Sequence, residues 1–241
     1  MLYALETDPM SAQITKVDTK NNTIYFDSTA HFQVGQSGFI LAHKQDYNVI
    51  IANAQIQSIS ENVAIAKYAP FESITQRYLP TPRAEPLEGD EAVFGSFYDK
   101  SIAIAPDQEN YNQILSLKSK VYFMHIDLFG AFLAKDGIND PKPKHFKTFC
   151  NRYNIGLIHI LASNGLNVLD CQSFEILDVI TYQKPTLEST QAPFFSRIVD
   201  INTGSLASKM RSKKSRQYFS YYDDLLAIPL KSFKQRNHDA Q

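Results

Sequence analysis

The first 70 residues constrain the fold most, because they contain a rapid succession of short apolar strands separated by polar or glycine-marked turns. The strand segments are residues 13–17, 23–26, 39–42, 49–56 and 63–68. So many short strands in an open sheet would leave exposed edges, and closure into a small barrel removes those edges. We therefore predict that residues 1–77 form a small all-β module that resembles a barrel.

A different pattern begins after a polar, proline-bearing stretch at residues 78–90, which is predicted to be a linker. Strand segments at 101–105, 121–124, 157–161, 166–169 and 174–181 alternate with helical patterns at 108–117 and after Asp127 and Pro143. Asp127 is predicted to cap the N-terminus of its helix. Residues 91–200 are thus predicted to be an α/β module. The fold class is α+β: a small N-terminal β-barrel-like module, an α/β module and an extended or helical C-terminal tail.

Residues 201–241 form the predicted tail, which combines a basic run with an aromatic helix. Tyr218, Tyr221, Tyr222 and Leu225 repeat at helical spacing, and Leu226 lies beside them. Exposing these side chains together would leave an apolar patch that is unusual for a monomer. We therefore expect the helix to dock on a neighbouring chain through these five residues. Deleting residues 205–241 would then leave both modules folded and abolish assembly.

The basic run before this helix consists of Lys209, Arg211, Lys213, Lys214 and Arg216. Residues 205–241 contain 8 basic and 3 acidic residues, which gives the tail a net charge of +5. Three interpretations of the run remain open. In the first, the run is a solvated linker. In the second, single lysines of the run bind in an acidic and aromatic pocket of a partner protein. In the third, the cations contact nucleic acid or an anionic membrane directly.

The whole chain is nearly neutral, with 24 basic and 25 acidic residues, so its net charge gives no case for a nucleic-acid partner. No run reaches the roughly 18–20 apolar residues of a membrane-spanning helix, so no transmembrane segment is predicted. The 6 histidines are scattered without metal-ligand spacing, and the 9 glycines form no phosphate-binding fingerprint. We therefore predict neither a metal nor a cofactor.

The two cysteines, Cys150 and Cys171, leave open whether they are free or bridged, because a bridge requires Cα atoms about 6 Å apart. They also give one enzyme alternative, a cysteine hydrolase that combines Cys150 with His159 and Asp170. A catalytic thiolate needs an exposed, electropositive setting. Cys150 instead shares a predicted helical face with aromatic side chains, which favours a buried, inert thiol. The sequence therefore predicts no enzyme.

Several segments in a fixed order carry a resemblance to a known family. They are residues 34–38, 50–54, 68–71, 89–90, 101–106, 146, 149–150, 153–158, 170, 173–174, 176–177 and 193–198. Together they resemble the N-terminal domain of the plasminogen-binding protein family of flagellated, microaerophilic Gram-negative bacteria. Residues 221–226 are similar to the family's segment beyond that domain. The ordered co-occurrence of these segments is more specific than any one of them.

The resemblance implies a non-enzymatic, exported envelope protein that acts as a scaffold or by binding other proteins, in homo- or hetero-oligomers. The first eight residues lack the basic and apolar regions of a signal peptide, which fits a cytoplasmic protein or an exported one in mature form. The resemblance favours an exported protein in mature form, located in the periplasm or at the cell surface. A β module followed by an α/β module is also similar to subunits of flagellar-motor and other periplasmic assemblies, which is a structural alternative.

A host partner is a further implication of the resemblance. Proteins of the family bind host plasminogen through lysines that engage its kringle domains, often through a C-terminal lysine. This sequence ends in Asp239, Ala240 and Gln241, so the terminal-lysine mode is not expected. Internal lysines such as Lys213 and Lys214 are the remaining candidates for plasminogen binding.

Overall fold

The computed structural model describes residues 7–28, 31–71, 84–117, 120–182, 190–198 and 214–227. The strands of these residues are β1 (Met10–Asp18), β2 (Thr23–Asp27), β3 (Ser37–His43), β4 (Asn48–Ser60), β5 (Val63–Pro70), β6 (Glu91–Phe94), β7 (Lys100–Ile104), β8 (Tyr122–Phe123), β9 (Leu157–Ala162), β10 (Gly165–Asp170) and β11 (Ile176–Ile180). The helices are α1 (Gln108–Leu115), α2 (Ile126–Lys135), α3 (Pro143–Tyr153) and α4 (Tyr218–Leu226), with a 3-10 turn at Lys214–Arg216. Among these described helices, none combines the length and apolarity needed to cross a bilayer.

The first six strands close into a barrel in the order β1-β2-β5-β4-β3-β6. All neighbouring strands in it are antiparallel. Side chains alternate between the two faces, so that Ile24, Phe26 and Phe94 point inward and are fully buried. The rings of Phe26 and Phe94 stack with their centroids 5.3 Å apart. The predicted barrel-like module is thereby confirmed.

The barrel extends past the predicted module boundary at residue 90. β6, which the sequence analysis placed in the α/β module, pairs with β1 on one side and β3 on the other and so closes the barrel. Gly38 permits the close approach of β3 and β6, because a Cβ atom there would collide with the carbonyl oxygen of Val93. The proline-bearing stretch thus lies within the barrel's sequence, between its fifth and sixth strands.

The second half of the described chain is built on a five-stranded mixed sheet in the order β11-β10-β9-β7-β8. β7 pairs in parallel with β8 and β9, whereas β9, β10 and β11 form an antiparallel meander. The parallel pairing of β7 and β9 requires a crossover connection, which includes α1, α2 and α3. The helices contribute to one apolar core with the sheet, to which Ile104, Phe129 and Phe149 belong.

Local sequence signals set the helix ends. The carboxylate of Asp107 caps α1 by accepting a backbone N–H of the first turn at 2.8 Å. Pro143 opens α3, and Asn154 ends it in the left-handed region with a φ of 52°. The capping prediction for α2 was wrong: His125 is the N-cap, and its Nδ1 accepts the backbone N–H of Asp127 at 3.2 Å.

Candidate functional site

The aromatic helix α4 packs on its own chain. Tyr218, Tyr222 and Leu225 are 1%, 0% and 4% exposed and belong to the core of the α/β domain. Tyr221 and Leu226 are partly buried against the same core. The helix itself was predicted, but the expectation that these five residues dock on a neighbouring chain is corrected, because their apolar face is already covered. Helical periodicity shows that a face is buried and does not show what covers it.

Polar contacts at both ends hold α4 in this position. Before the helix, the carboxylate of Asp140 accepts the backbone N–H of Ser215 at 3.1 Å. Within the helix, Asp223 accepts the backbone N–H of Ser163 at 2.9 Å, and the buried hydroxyl of Tyr218 donates to a β7 carbonyl at 3.0 Å. Every partner lies in the α/β domain, so α4 is one of its structural layers.

Only the end of the predicted basic run lies in the described part of the chain. Lys209, Arg211 and Lys213 lie outside it, whereas Lys214 and Arg216 are exposed on the 3-10 turn. That turn rests on residues 139–141, since the Asp140 carboxylate accepts backbone N–H groups of the turn and the Asn139 carbonyl accepts a hydroxyl from it at 3.2 Å. The basic run therefore ends on a fixed surface of the α/β domain.

A second set of cations begins beside this turn. Residues 141–153 contain Lys142, Lys144, Lys147 and Arg152 and no acidic residue. Lys142 and Lys144 are exposed at the N-terminus of α3, which is the positive pole of the helix dipole. Burial, and then the charges of Lys144 and Lys142, lower the pKa of His145, which follows them in the first turn of α3. The proximity of these cations to the basic run could not be predicted from their spacing, although the lack of acidic residues among them is visible in the sequence.

The three residues of the hydrolase alternative do not form a catalytic group. Cys150 is joined to Cys171 in a disulfide whose Cα atoms are 6.3 Å apart, so it offers no thiolate. His159 is paired with the hydroxyl of Ser101, and Asp170 accepts hydrogen bonds from the barrel. The cysteine-hydrolase alternative is therefore contradicted. Of the two states that the sequence left open for Cys150 and Cys171, free or bridged, the structure shows the bridged one.

His159 is a core histidine. It is 5% exposed on β9, its ring lies 4.9 Å from that of Phe123, and its Nδ1 lies 2.7 Å from the hydroxyl oxygen of Ser101. Burial lowers the pKa of His159 to about 4. The imidazole is therefore neutral near neutral pH and satisfied by its serine partner.

Stability is expected to fall as the pH drops from about 6.5 to about 4. In this window the unfolded chain binds a proton at His159, whereas the folded chain does not, so protonation favours unfolding. The difference between the ordinary and the lowered pKa corresponds to about 3 kcal/mol of unfolding free energy. Urea unfolding at about pH 7 and about pH 4.5 measures this loss. A His159→Asn protein that keeps the full pH dependence would contradict the assignment.

Asp170 is a fully buried carboxylate that joins the barrel to the α/β domain. Its Oδ2 accepts the backbone N–H and the hydroxyl of Ser37 at 3.0 and 2.6 Å and the hydroxyl of Tyr98 at 2.7 Å. Its Oδ1 accepts the backbone N–H groups of Gln172 and Ser173 at 2.8 and 2.7 Å. Five donors thus replace the water that a buried carboxylate loses. Burial and the adjacent carboxylate raise the pKa of Tyr98 well above its usual value, so its hydroxyl remains a donor.

The backbones of the two domains also approach closely around Asp170. Gly35 has a φ of 93°, and a Cβ atom there would lie 2.5 Å from the Cβ of Glu175. Directly before β9, Gly156 donates its N–H to the carbonyl of Phe97 at 2.9 Å, and a Cβ atom on Gly156 would collide with that carbonyl. The junction is therefore both hydrogen-bonded and sterically tight.

Asp127 fixes the segment 190–198 instead of capping α2. Its carboxylate accepts the Ser196 hydroxyl at 2.8 Å and the backbone N–H and Nε of Arg197 at 2.9 and 2.8 Å. Burial raises the pKa of Asp127, but the hydrogen bonds from Arg197 and Ser196 outweigh it, so that the pKa is lowered. The segment inserts Phe194 and Phe195, which are 1% and 6% exposed, into the core.

Comparison with known proteins identifies the family of this two-domain fold. The family described as "Plasminogen-binding protein pgbA N-terminal" matches residues 9–226, which span the barrel, the mixed sheet and α4. The chain belongs to this family. The resemblance stated from the sequence is thereby confirmed. Two proteins named Plasminogen-binding protein PgbA, from Helicobacter pylori strains 26695 and J99, are 37% and 36% identical to this chain over 220 residues.

The PgbA relatives extend well beyond the matched region. Each alignment covers 91% of this chain and 48% of the relative, so the chain spans about half the length of the curated relatives it matches. The match to the PgbA N-terminal family ends at Leu226, which is also the last residue of α4. No solved structure matches this chain.

Proposed function

We propose that this PgbA N-terminal domain is a protein-binding module of an exported envelope protein and that it binds plasminogen through exposed internal lysines. The observation that carries the proposal is the family membership, because similar members are named for plasminogen binding and align with 91% of this chain. The residues that the sequence suggested as catalytic or docking groups have structural roles instead. Cys150 is in a disulfide, Asp170 joins the two domains, and the apolar face of α4 is in the core. Charged surface residues therefore remain as the partner-binding groups.

The disulfide supports export. Disulfides persist in the periplasm and outside the cell and are rare in the reducing cytoplasm. The bridge joins Cys150 in α3 to Cys171 just after β10, both fully buried, so it ties the helical layer to the sheet. In cells quenched with a thiol-reactive maleimide under denaturing conditions, both cysteines should react only after reduction. Labelling without prior reduction would contradict export.

Lys214 is the described member of the candidate lysine pair. A partner's lysine-binding pocket requires an ammonium group that is accessible and not already neutralised by a carboxylate. Lys214 is exposed and takes part in none of the ion pairs among the described residues. Its backbone N–H donates to Asp140 at 3.4 Å, so its side chain extends from a fixed turn. Lys213 precedes it and lies outside the described residues.

Replacing Lys213 and Lys214 by alanine is expected to weaken plasminogen binding by at least about fivefold, since one lost charge contact is worth about 1 kcal/mol. Surface plasmon resonance on immobilised plasminogen measures the change. The matched control replaces Lys16 and Lys20, two exposed barrel lysines, by alanine. If the control loses as much affinity as the test variant, or if neither loses any, the assignment to Lys213 and Lys214 is wrong.

A scaffold role in an envelope assembly is a second candidate, and the junction at Asp170 favours it. A structural subunit must present its surfaces in a fixed arrangement, and the hydrogen bonds of Asp170 to Ser37 and Tyr98 fix the barrel against the α/β domain. In-cell crosslinking should then recover the same envelope proteins with this chain when no host protein is present. Recovery of the chain alone would argue against the scaffold role.

A further inference from the structure

The cations of this chain are distributed unevenly. Residues 142–152 contain four Lys and Arg residues, residues 209–216 contain five, and neither stretch contains an acidic residue. The whole chain has 24 basic and 25 acidic residues. The two stretches together therefore carry a charge of +9. The rest of the chain has 15 basic and 25 acidic residues and a net charge of −10. Such asymmetry creates a local potential that the overall net charge conceals.

The fold places the described end of the second stretch, residues 214–216, beside the start of the first stretch. The carboxylate of Asp140 accepts the backbone N–H of Lys214 at 3.4 Å, and Asp140 lies two residues before Lys142. Lys142, Lys144, Lys214 and Arg216 are all exposed, and we call these four residues the basic face. Its two pairs are separated by about 70 residues in the sequence, and they meet because the 3-10 turn bonds to Asn139 and Asp140 and α4 packs on the α/β domain.

The charges of the basic face are not neutralised within the described structure. The acidic groups beside it are Asp136 and Asp140, and Asp140 is engaged by backbone N–H groups of the 3-10 turn. None of the ion pairs formed by the described residues includes a member of the basic face. The face therefore presents four cations to the solvent at the positive end of the α3 dipole.

The basic face lies at the N-terminal end of α3, and the C-terminal end of α3 leads to a contact with the loop after β6. α3 begins at this face and runs for 11 residues, about 16 Å, toward its cap at Asn154. Two residues later, Gly156 donates its backbone N–H to Phe97 in the loop that follows β6 of the barrel. A surface that contacts the basic face would therefore leave the barrel pointing away from it.

We propose that the basic face binds an anionic phospholipid surface and orients the domain with its barrel directed away from the membrane. Several unpaired cations on one face match a surface that carries many phosphate groups, and each cation strengthens membrane binding by about fivefold. A partner pocket for a single lysine would not require this clustering. Binding of single-stranded nucleic acid relies on exposed aromatic rings beside the cations, but Tyr218 and Tyr222 are buried in the core. The inference does not depend on plasminogen binding.

Co-sedimentation with vesicles tests the proposal. Vesicles of equal parts phosphatidylcholine and phosphatidylglycerol are compared with vesicles of phosphatidylcholine alone. The full chain should bind the anionic vesicles and dissociate from them at high salt, since screening weakens surface electrostatics. Changing Lys142, Lys144, Lys214 and Arg216 to glutamine should lower binding by at least about tenfold. Changing the three lysines to arginine instead should preserve binding, because the charge is kept.

The matched control changes four other exposed cations, Lys16, Lys20, Lys44 and Lys120, to glutamine and removes the same total charge. Its binding should stay within about twofold of the unchanged chain. Far-ultraviolet circular dichroism melts establish that each variant is folded. Three results would overturn the proposal: no preference for anionic vesicles, an equal loss in both glutamine variants, or binding to soluble polyphosphate without binding to the vesicles.

Discussion

Replacing Asp170 by asparagine is expected to lower the free energy of unfolding by about 4 kcal/mol. The carboxylate is fully buried and accepts five hydrogen bonds, three of them at Oδ2 from Ser37 and Tyr98. An asparagine side chain presents one acceptor oxygen and one donor NH2 group. One set of donors around Asp170 would therefore face another donor, and a buried donor without an acceptor costs about 1–3 kcal/mol.

Urea unfolding followed by circular dichroism measures the loss at Asp170. The matched control is Asp99→Asn, which makes the same charge change at an exposed position in the loop that contains Tyr98. That change should alter the free energy of unfolding by less than about 0.5 kcal/mol. Equal unfolding midpoints for Asp170→Asn and Asp99→Asn would contradict the assignment of Asp170 as the group that joins the two domains.

Truncating Tyr222 to alanine is expected to cost about 3–5 kcal/mol of unfolding free energy, because a large aromatic side chain leaves a cavity in the core. Tyr222 is 0% exposed, and its ring lies 4.6 Å from that of Tyr218. The control is Ser220→Ala, at an exposed position of the same helix, which should change stability little. If both variants unfold at the same urea concentration, α4 is not part of the core.

Two C-terminal truncations also test whether α4 is part of the core, without a point substitution inside it. Deleting residues 228–241 removes only residues beyond α4, so the described core is left intact. Deleting residues 205–241 also removes Tyr218, Tyr222 and Leu225 and opens the core of the α/β domain. The longer deletion should therefore bind a hydrophobic dye and lose near-ultraviolet circular dichroism, whereas the shorter one should not. The sequence had led us to expect that both modules stay folded after deletion of residues 205–241. If the chain without residues 205–241 is folded, that expectation is right and the assignment of α4 to the core is wrong.

Strands and helices with regular periodicity could be predicted from the sequence. The β1-β2 hairpin follows alternating apolar residues around a polar loop, and α3 follows from Pro143 at its start and Asn154 at its end. β6 was not among the predicted strands, because its four residues gain their role by pairing with β1 and β3. Such pairing is a non-local property that the local pattern does not contain.

The role of each polar residue was harder to predict than its position. Asp127 has the spacing of a helix cap, yet its carboxylate is used by Arg197, 70 residues away. Cys150 and Cys171 could be paired only once the distance between α3 and the end of β10 was known. Asp170 looked like a candidate catalytic carboxylate, because the sequence does not show that Ser37, at the start of β3 in the barrel, reaches it.

The described members of the predicted basic run, Lys214 and Arg216, are exposed on the surface of the α/β domain. The aromatic helix brings Lys214 and Arg216 to a fixed place beside Lys142, so a helix that is itself buried determines where these cations lie. The segment that the sequence suggested as a docking tail thus positions exposed cations, while its aromatic face packs in the core of its own chain.

Displacement by a free lysine analogue most directly tests the central claim, that this PgbA N-terminal domain binds a protein partner through its lysines. The full chain is applied to immobilised plasminogen, with and without ε-aminocaproic acid, and the equilibrium response is measured. We expect saturable binding that the analogue abolishes, because it occupies the sites that would otherwise take up surface lysines of this chain. Binding that is indifferent to the analogue, or no binding by the folded chain, would contradict the account.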